Sequence, residues 1–467
     1  MAEVYDYLIA GAGIAGLYTA YKLNIKYPAA KICIIEASNA IGGRLHTVLI
    51  DGINIEYGGA RFNSSQKHIL ALIKELGLKD KQIPISNDSK YIPVNDRTGD
   101  RNNSILETKF PTIDYFIKNM QKYIHTNKIS NEELINTTII DFASTHYKTY
   151  PTLNKYLLAK YPYYAELGIL NALEGIKLFT NEFSSKMQSK YFILDGGLSQ
   201  LTNIMYNHLK HNITITIKTN TPLESITKTT TGYYTIKTKH NIKLTKHTNA
   251  HTHTNANANA NANANANANA NANKYIYNTK KIILALPQYA LLKIKYLMQN
   301  IHVARMIKSI TPEPLYRIYA KYPLDKKTGL VWFDGIPKII TNIPIKYIIP
   351  INYKKGIIMI SYTDSKYAKY WNKQLINGTF TTTLNKQLHL LFPDKIIPKP
   401  KWYKHCYWDM GAGYWKIGSN SAEILPNMIQ PFKESKEPIF ICGENYSSHQ
   451  AWVEGSLETA DMVLAKL

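Results

Sequence analysis

The chain has 467 residues, of which 45% are hydrophobic and 11% aromatic, so it is too long for one compact core and we expect two or three domains. Its formal net charge of +23 comes mainly from lysine, because only six of the 56 basic residues are arginine. The lysines form no clustered stripe and accompany no nucleic-acid-binding motif, so composition and charge disfavour a nucleic-acid-binding protein.

The cysteines and the chain ends give an expectation about compartment. Cys33, Cys406 and Cys442 form neither a CxxC pair nor a disulfide framework, which is typical of a reducing intracellular compartment. No signal peptide and no run of about twenty apolar residues is present, so we expect a soluble cytoplasmic protein without a membrane span. The final tripeptide, Ala465–Leu467 (Ala-Lys-Leu), resembles a peroxisomal address, although we favour the end of an amphipathic helix.

The first forty-five residues carry the clearest motif. An apolar run at 7–10 precedes Gly11-Ala12-Gly13-Ile14-Ala15-Gly16, a helical pattern follows at 17–23, and a second apolar run at 32–35 ends on Glu36. This order predicts a βαβ unit in which the glycines allow a tight turn and a close approach of pyrophosphate to the helix N-terminus. Glu36 lies where a carboxylate can bind ribose hydroxyls, so the segment predicts dinucleotide binding.

Two further segments indicate which dinucleotide the chain binds. Ala37 leads into Gly42-Gly43-Arg44, and Gly58-Gly59-Ala60-Arg61 follows. Both resemble flavin-contacting turns of the flavin amine oxidase superfamily, which NAD dehydrogenases do not usually carry. The resemblance implies FAD. It implies cofactor contacts from the first motif and from these two turns: Gly11, Gly13, Ala15, Gly16, Glu36, Ala37, Gly43, Arg44, Gly59, Ala60 and Arg61.

The middle of the chain predicts an inserted region and a return to the nucleotide fold. An amphipathic helix is predicted at 67–78, followed by tyrosine-rich helices and polar loops from about 80 to 190. Asp195-Gly196-Gly197-Leu198 resembles the family's re-entry segment, and the segment 221–226 resembles the one whose backbone meets adenine, with Leu223 at the contact position. Residues 213–217 predict a strand, residues 233–244 predict paired strands, and residues 281–287 predict a strand that ends at a proline.

An Asn-Ala repeat interrupts this region between Asn255 and Asn273. Alanine and asparagine bury too little apolar surface to hold a strand, so we expect a disordered insertion over about 247–273. His247, His251 and His253 lie there without a preorganised scaffold, and no metal site is expected.

The last third of the chain predicts a second sheet, followed by another segment of the cofactor-binding domain. Strand patterns lie at 315–320, 338–343, 347–351 and 357–362, which suits the sheet that floors the substrate cavity in flavin amine oxidases. A buried strand at 439–442 reaches Gly443-Glu444, and a helix starts after Trp452-Val453. This tail resembles the family's second flavin signature, and the resemblance implies cofactor contacts from Gly443, Glu444, Trp452 and Val453.

We therefore expect an α/β fold with a Rossmann-like FAD-binding domain and an inserted α+β substrate domain of amine-oxidase type. The FAD domain is predicted at 1–80, 191–310 and 420–467. The substrate domain is predicted at 81–190 and 311–419.

The resemblance also implies a reaction. Family members take a hydride equivalent from a carbon beside an amine nitrogen, the imine hydrolyses, and O2 reoxidises the flavin to give H2O2. Trp452 matches one aromatic wall over the flavin, and Trp415 or Tyr414 is the candidate for the other. No cysteine stands beside that second position, so non-covalent FAD is expected.

Arg317 departs from the family, since it falls where many of the oxidases place a lysine that holds water near the flavin. A guanidinium is bulkier and stays protonated, so Arg317 puts oxygen reactivity in doubt or indicates an acidic substrate group. The alternatives are an FAD dehydrogenase or desaturase acting on a C–C bond, and a non-catalytic FAD-stabilised binding or structural protein. The leading hypothesis is oxidation of a primary or secondary amine, polyamine-like, with Arg317, Trp415 and Trp452 at the reacting centre.

Overall fold

The computed structural model describes residues 4–94, 101–183, 190–239 and 275–467. The Asn-Ala segment and the three histidines beside it lie outside these ranges. In chain order the strands are Val4–Ala10 (β1), Ile32–Ile35 (β2), Thr47–Ile50 (β3), Ile53–Glu56 (β4), Phe62–Asn63 (β5), Gln82–Ile85 (β6), Lys90–Ile92 (β7), Tyr191–Leu194 (β8), Ile215–Lys218 (β9), Leu223–Lys228 (β10), Tyr234–Thr238 (β11), Ile276–Leu284 (β12), Ile310–Lys321 (β13), Ile339–Thr341 (β14), Tyr347–Asn352 (β15), Ile357–Asp364 (β16), Trp402–Trp415 (β17) and Ile439–Ile441 (β18).

The helices alternate with these strands in the first and last parts of the chain and follow one another between β7 and β8. In chain order they are Ile14–Lys26 (α1), Lys67–Glu75 (α2), Arg101–Lys109 (α3), Ile113–Thr126 (α4), Asn131–Ile135 (α5), Ile139–His146 (α6), Leu153–Lys160 (α7), Tyr164–Gly168 (α8), Ala172–Phe183 (α9), Ser199–Leu209 (α10), Gln288–Leu291 (α11), Lys295–Met298 (α12), Ile301–Ile307 (α13), Ser365–Ile376 (α14), Phe380–Leu391 (α15), Ser421–Ile429 (α16) and Val453–Leu464 (α17).

The first sheet positions the nucleotide motif. Its strand order is β10-β11-β12-β1-β2-β9, and β18 also pairs with β12. β1 runs parallel to both β2 and β12, and its adjacent residues Leu8 and Ile9 are fully buried. Adjacent strand residues point to opposite faces, so the sheet is covered on both sides, as parallel sheets require. The glycine turn after β1 and Glu36 after β2 therefore lie at the same edge of this sheet.

The second sheet has the order β17-β13-β16-β15-β14-β7. Its pairs are antiparallel except for β14 with β7. Arg317 in β13 lies opposite Tyr362 in β16 and Cys406 in β17. This register sets which side chains of the sheet meet at the candidate site.

Helices α3 to α9 form a separate apolar cluster beside that sheet, built around Phe116, Phe142 and Phe179. Local capping defines their ends, as at α6, where the Thr138 hydroxyl accepts a hydrogen bond from Asp141 N. Across the described residues, no helix combines the length and the apolar character needed to cross a membrane.

The α/β class and the initial βαβ unit are confirmed. The helix predicted at 67–78 is present as α2, and the four strand patterns between 315 and 362 correspond to β13 to β16. Of the strand pair predicted within 233–244, the described part contains β11, which pairs with β10 and β12, and residues 240–244 lie outside the described ranges. The β3–β4 hairpin and the 14-residue strand β17 were not predicted. The domain boundaries stay a prediction.

Candidate functional site

The turn after β1 brings the backbone very close to α1. Gly11 has φ +104°, and a Cβ on Gly16 would lie 1.9 Å from Gly11 O, so no side chain fits at Gly16. Gly13 precedes α1 and provides no side-chain cap, so the N–H groups of the first turn, which includes Ala15, keep their hydrogen-bonding capacity. Together with the positive end of the helix dipole, they form a cradle that fits a pyrophosphate.

Glu36 is held beside this cradle. Its Oε2 accepts a hydrogen bond from Ala12 N at 2.8 Å, and its Oε1 accepts from Ser38 N and Ser38 Oγ, each at 2.8 Å. Ala37 next to it is exposed. The carboxylate is thereby fixed at the sheet edge where a ribose attached to the pyrophosphate would lie.

Arg44 joins the first part of the chain to the last. Its Nη1 donates to Glu444 Oε1 at 2.6 Å and to Gly411 O at 2.9 Å. The Arg44 side chain is 32% exposed, whereas that of Glu444 is only 5% exposed. Glu444 Oε2 also accepts from Ala451 N at 3.0 Å. A buried carboxylate therefore orients the guanidinium of Arg44.

The glycine-rich segments pack against one another. A Cβ on Gly43 would lie 3.2 Å from Gly13 Cα, and a Cβ on Gly59 would lie 3.5 Å from Val453 Cγ2. The first contact brings the Gly42-Gly43 turn to the phosphate cradle. The second brings the turn of Gly59 and Ala60 to the start of α17. Segments far apart in the sequence thus meet beside the phosphate cradle, and we call this region the candidate cofactor groove.

Helix α17 starts at Val453, with Trp452 at its N-cap. Gly443 N donates to Thr459 Oγ1 at 2.9 Å, which ties the helix to the turn after β18. The Glu454 carboxylate accepts from His68 N and Ile69 N, each at 2.9 Å, and so also caps α2. The positive end of α17 is held at the groove, where it can stabilise a developing negative charge.

Arg61 directs its side chain away from the glycine turns. Its Nη1 donates to Asn87 Oδ1 at 2.7 Å, and its Nη2 lies 3.5 Å from the Tyr163 hydroxyl. The guanidinium lies over the rings of Tyr191, at 5.0 Å, and Trp452, at 5.7 Å. The backbone of Arg61 follows the Gly58-Gly59 turn, whereas its side chain contacts Asn87, Tyr163, Tyr191 and Trp452.

Arg317 is enclosed by the second sheet and is 7% exposed. Its Nη1 donates to Glu56 O at 2.8 Å, and its guanidinium lies 4.6 Å from the ring centre of Tyr362, its cross-strand partner. Tyr319 also donates to Glu56 O, at 2.6 Å. Because Glu56 ends β4 just before the Gly58-Gly59 turn, Arg317 connects the second sheet to a predicted cofactor segment.

A wall of three tyrosines, Tyr163, Tyr347 and Tyr362, lies between the two arginines. Tyr163 packs edge to face on Tyr347, at 6.3 Å, and on Tyr362, at 5.5 Å. Burial raises the pKa of Tyr163 well above its ordinary value, and the charge of Arg61 opposes this rise. Sequence reasoning missed this wall, together with Asn87, because 35 tyrosines give no signal for any one of them.

Trp415 lies in a core cluster and not on this wall of tyrosines. It is 1% exposed, its indole Nε1 donates to Ser447 O at 3.1 Å, and its ring packs on Tyr446 in a core cluster. An indole enclosed by protein offers no open face to a substrate, so this placement argues against Trp415 as an aromatic wall. Gly411, four residues earlier on the same strand, is the residue that meets Arg44 at the groove.

Two predictions remain: the cofactor contact at Leu223 and the expected absence of a metal site. Leu223 begins β10 and packs against the core cluster under the first sheet. Within the described part of the chain, no group of three His, Cys, Asp or Glu side chains could hold a metal ion.

His449, in the loop that precedes Trp452, forms an ion pair with Glu458 of α17. A hydrogen bond to Glu458 raises the pKa of His449 above its ordinary value of 6.5, and burial opposes this rise. The pair therefore stabilises the fold fully below pH 6.5 and loses its contribution as pH rises through the higher folded pKa. We expect the melting temperature of the His449→Gln variant to fall furthest below wild type at pH 5.5–6 and to approach it at pH 8.5, measured by calorimetry. A difference independent of pH would contradict this assignment.

Comparison with known proteins agrees with the geometry. The family described as flavin containing amine oxidoreductase matches residues 14–463. An uncharacterized protein of Acanthamoeba polyphaga mimivirus is 24% identical over 99% of this chain and 93% of its own length.

Other relatives match over a short segment. Putrescine oxidase of Kocuria rosea is 31% identical over 26% of this chain and 24% of its own length. The mitochondrial protoporphyrinogen oxidase of Nicotiana tabacum is 36% identical over 19% of this chain and 17% of its own length. The matched segment therefore spans at most a quarter of these two relatives.

Solved structures share the fold over the whole chain. A cofactor-binding redesign of putrescine oxidase superimposes with a TM-score of 0.68 at 16% identity, covering 99% of each chain. A putative protoporphyrinogen oxidase from Exiguobacterium sp. 255-15 superimposes with a TM-score of 0.64 at 13% identity, covering 100% of this chain and 99% of its own. The family match extends across both flavin-type segments and the sheet between them, and the cradle fits FAD. This chain belongs to the family of flavin-containing amine oxidoreductases.

Proposed function

We propose that this protein is an FAD-dependent oxidoreductase that oxidises the C–N bond of a primary or secondary amine to an imine, with O2 as the electron acceptor and H2O2 as a product. The observation that carries the proposal is the meeting of Gly59 with Val453 and of Arg44 with Glu444. These contacts support the proposal that an aromatic residue, Trp452, and the positive end of α17 lie beside the bound flavin. When bound, FAD supplies the hydride acceptor.

The chain's own residues hold and shield the reactants. The cradle of α1 and the Glu36 carboxylate would hold the pyrophosphate and the ribose of FAD. The aromatic wall of Tyr163, Tyr347 and Tyr362 excludes water from the amine. The N-terminus of α17 stabilises the negative charge that the reduced ring carries.

The position and charge of Arg317 affect how the reduced flavin would react with its electron acceptor. It replaces the lysine that many oxidases of this family place near the flavin, and its guanidinium is already committed to Glu56 O and the ring of Tyr362. It remains charged at neutral pH and cannot act as a base. We propose that it positions the turn after Glu56 and supplies a fixed positive charge during reoxidation by O2.

The test is anaerobic mixing of the purified flavoprotein with a panel of primary, secondary and polyamine substrates. We expect loss of the oxidised flavin absorbance with at least one amine, and stoichiometric H2O2 when air is admitted. Bleaching without peroxide would indicate another electron acceptor. No bleaching by any amine or amino acid would overturn the proposed function.

The Trp452→Ala variant should reduce its flavin at least about tenfold more slowly at saturating amine, because the ring that orients the amine is lost. FAD content should stay near wild type, since the glycine turns and Glu36 are unchanged. Trp402→Phe is the matched control, because Trp402 bonds to Asp51 away from the groove. Equal reduction rates in all three proteins would remove Trp452 from the reacting centre.

A second candidate is oxidation of a C–C bond next to nitrogen in a cyclic substrate. It is favoured by the segment shared with the protein named protoporphyrinogen oxidase in Nicotiana tabacum. Product analysis by mass spectrometry distinguishes an aldehyde or ketone, which an imine gives on hydrolysis, from a product that has lost only two hydrogens.

A further inference from the structure

We propose that one end of the second sheet is a docking surface for an anionic lipid bilayer. Four segments form this surface, and we call them the sheet-end loops: the β3–β4 turn at 51–52, the segment 322–336 after β13, the β15–β16 turn at 353–356, and the segment 392–401 before β17. The contact is peripheral, and it is independent of the proposed chemistry at the flavin.

The strand register brings these loops to the same end of the sheet. Lys321, the last residue of β13, lies opposite Ile357, the first of β16, and opposite Trp402, the first of β17. Lys401 N donates to Lys321 O at 2.6 Å. The Asp51 carboxylate accepts from Lys321 Nζ at 2.7 Å and from Trp402 Nε1 at 3.1 Å, so the β3–β4 turn joins the other three loops.

Aromatic rings hold the loops on a packed base. The Trp332 ring lies edge to face against Tyr322, at 5.4 Å, and against Phe392, at 5.3 Å. The Phe333 ring lies 5.8 Å from that of Tyr353. Trp332, Phe333 and Phe392 are buried. The surface is therefore formed before a partner binds, and docking does not have to order these loops.

Large apolar side chains of this surface are open to solvent. Ile396 is 93% exposed, and Leu49, two residues before the β3–β4 turn, is 68% exposed. Transfer of such side chains from water into the outer part of a bilayer is favourable. The exposed apolar residues in or beside the sheet-end loops are Leu49, Leu324, Leu330, Ile351, Tyr353 and Ile396.

Lysines accompany these apolar side chains. The sheet-end loops carry seven exposed lysines, namely the adjacent pairs at 326–327 and 354–355 together with Lys395, Lys399 and Lys401. Four exposed aspartates oppose them, but Asp51 is paired with Lys321, and Asp325 Oδ1 accepts hydrogen bonds within its own turn. The lysines are dispersed in the sequence, and the fold collects them. Each lysine close to an anionic bilayer raises affinity about fivefold.

The chemistry of the surface favours a bilayer over a nucleic acid. Proteins bind unpaired bases by stacking aromatic rings or arginine on them. The sheet-end loops contain no arginine, and five of the six exposed apolar residues are aliphatic. Aliphatic side chains beside lysines fit the boundary between anionic head groups and acyl chains, because the lysine stems reach along the apolar layer while their charges stay at the head groups.

The test is co-sedimentation of the FAD-loaded, full-length protein with lipid vesicles. We expect binding to phosphatidylcholine vesicles that contain about 30% phosphatidylserine, and binding at least about tenfold weaker to pure phosphatidylcholine. Raising the salt to about 0.5 M NaCl should weaken binding to the anionic vesicles by a similar factor, because the charges are screened.

The Ile396→Asp variant tests the apolar part of the surface. It should bind the anionic vesicles at least about tenfold more weakly, because it loses an inserting side chain and adds a negative charge. Ile301→Asp is the matched control: Ile301 is 75% exposed on α13, a helix that packs against the core of the first sheet. Flavin content and circular dichroism should match wild type in both variants.

A double variant tests the charges. Lys395→Gln with Lys399→Gln should weaken binding to the anionic vesicles about 25-fold, since two lysines are neutralised. Lys293→Gln with Lys295→Gln removes the same charge from exposed positions near α12 and should retain wild-type binding.

Three results would overturn the proposal. The first is no binding to anionic vesicles, or equal binding to pure phosphatidylcholine. The second is an equal loss in each variant and its control. The third is binding of a fluorescent single-stranded oligonucleotide that Ile396→Asp and the Lys395 and Lys399 double variant weaken while vesicle binding stays unchanged, which would assign the sheet-end loops to nucleic acid.

Discussion

Replacing Gly13 with alanine is expected to weaken FAD binding about 100-fold or more while leaving the apoprotein folded. Gly13 has φ −76° and ψ −175°, a conformation that alanine adopts freely. A Cβ at this position would find its nearest protein atom, Gly43 Cα, at 3.9 Å. The methyl group would therefore fit the empty protein but would occupy the space through which a pyrophosphate approaches the α1 backbone.

Two measurements check this result. FAD affinity is obtained by fluorescence titration of the apoprotein, and apoprotein stability is obtained by urea denaturation. Gly16→Ala gives the contrast, because its Cβ would collide with Gly11 O and should destabilise the apoprotein itself. Wild-type FAD affinity in Gly13→Ala would mean that the cofactor does not lie against this turn.

Removing the positive charge of Arg44 is expected to lower the free energy of unfolding by about 3 kcal/mol, because it leaves a buried carboxylate without its cation. The Glu444 side chain is 5% exposed, and its carboxylate also accepts hydrogen bonds from Asn445 Nδ2 and Ala451 N. The Arg44→Met variant keeps the length of the side chain but cannot donate to Glu444 or to Gly411 O. Denaturation of the apoprotein measures the loss without any contribution from bound FAD.

A double-mutant cycle isolates the interaction energy between Arg44 and Glu444. Glu444→Gln in the Arg44→Met background should recover at least half of the lost stability, because the neutral amide no longer needs a buried counterion. Flavin content should stay low in both variants if Arg44 also contacts the cofactor. Additive effects of the two substitutions would show that the ion pair does not couple the two ends of the chain.

Features within a short stretch of sequence were predicted well. The turn, helix and strand of the first forty-five residues depend on neighbours fewer than about forty positions away, and glycine spacing restricts the backbone locally. The same holds for the Gly443 turn followed by the helix after Trp452. The β3–β4 hairpin was missed because its turn, Asp51-Gly52, joins two strands of only four residues each. β17 was missed because its glycines and aromatic residues do not alternate regularly in polarity.

Side-chain roles depended on contacts between distant segments. Arg61 was assigned to the cofactor from its place after a glycine turn, yet its side chain reaches Asn87 and Tyr163, which lie 26 and 102 positions away. Trp415 was a candidate aromatic wall when counted back from Gly443, whereas alignment on Gly418 put a small residue at that position. The strand register places its ring in the core, against Tyr446.

The sequence alone determined the α/β class, the FAD cradle and the family resemblance, because each rests on local backbone requirements that a few glycines and one acid express. Only the tertiary structure decided which way Arg61 points, what surrounds Arg317 and which tyrosines pack between these two arginines. Those answers depend on sheet register and on ring and hydrogen-bond contacts between segments up to 400 residues apart, as with Arg44 and Glu444. No periodicity in one segment encodes such contacts, because the partner's position is fixed by the packing of the whole fold.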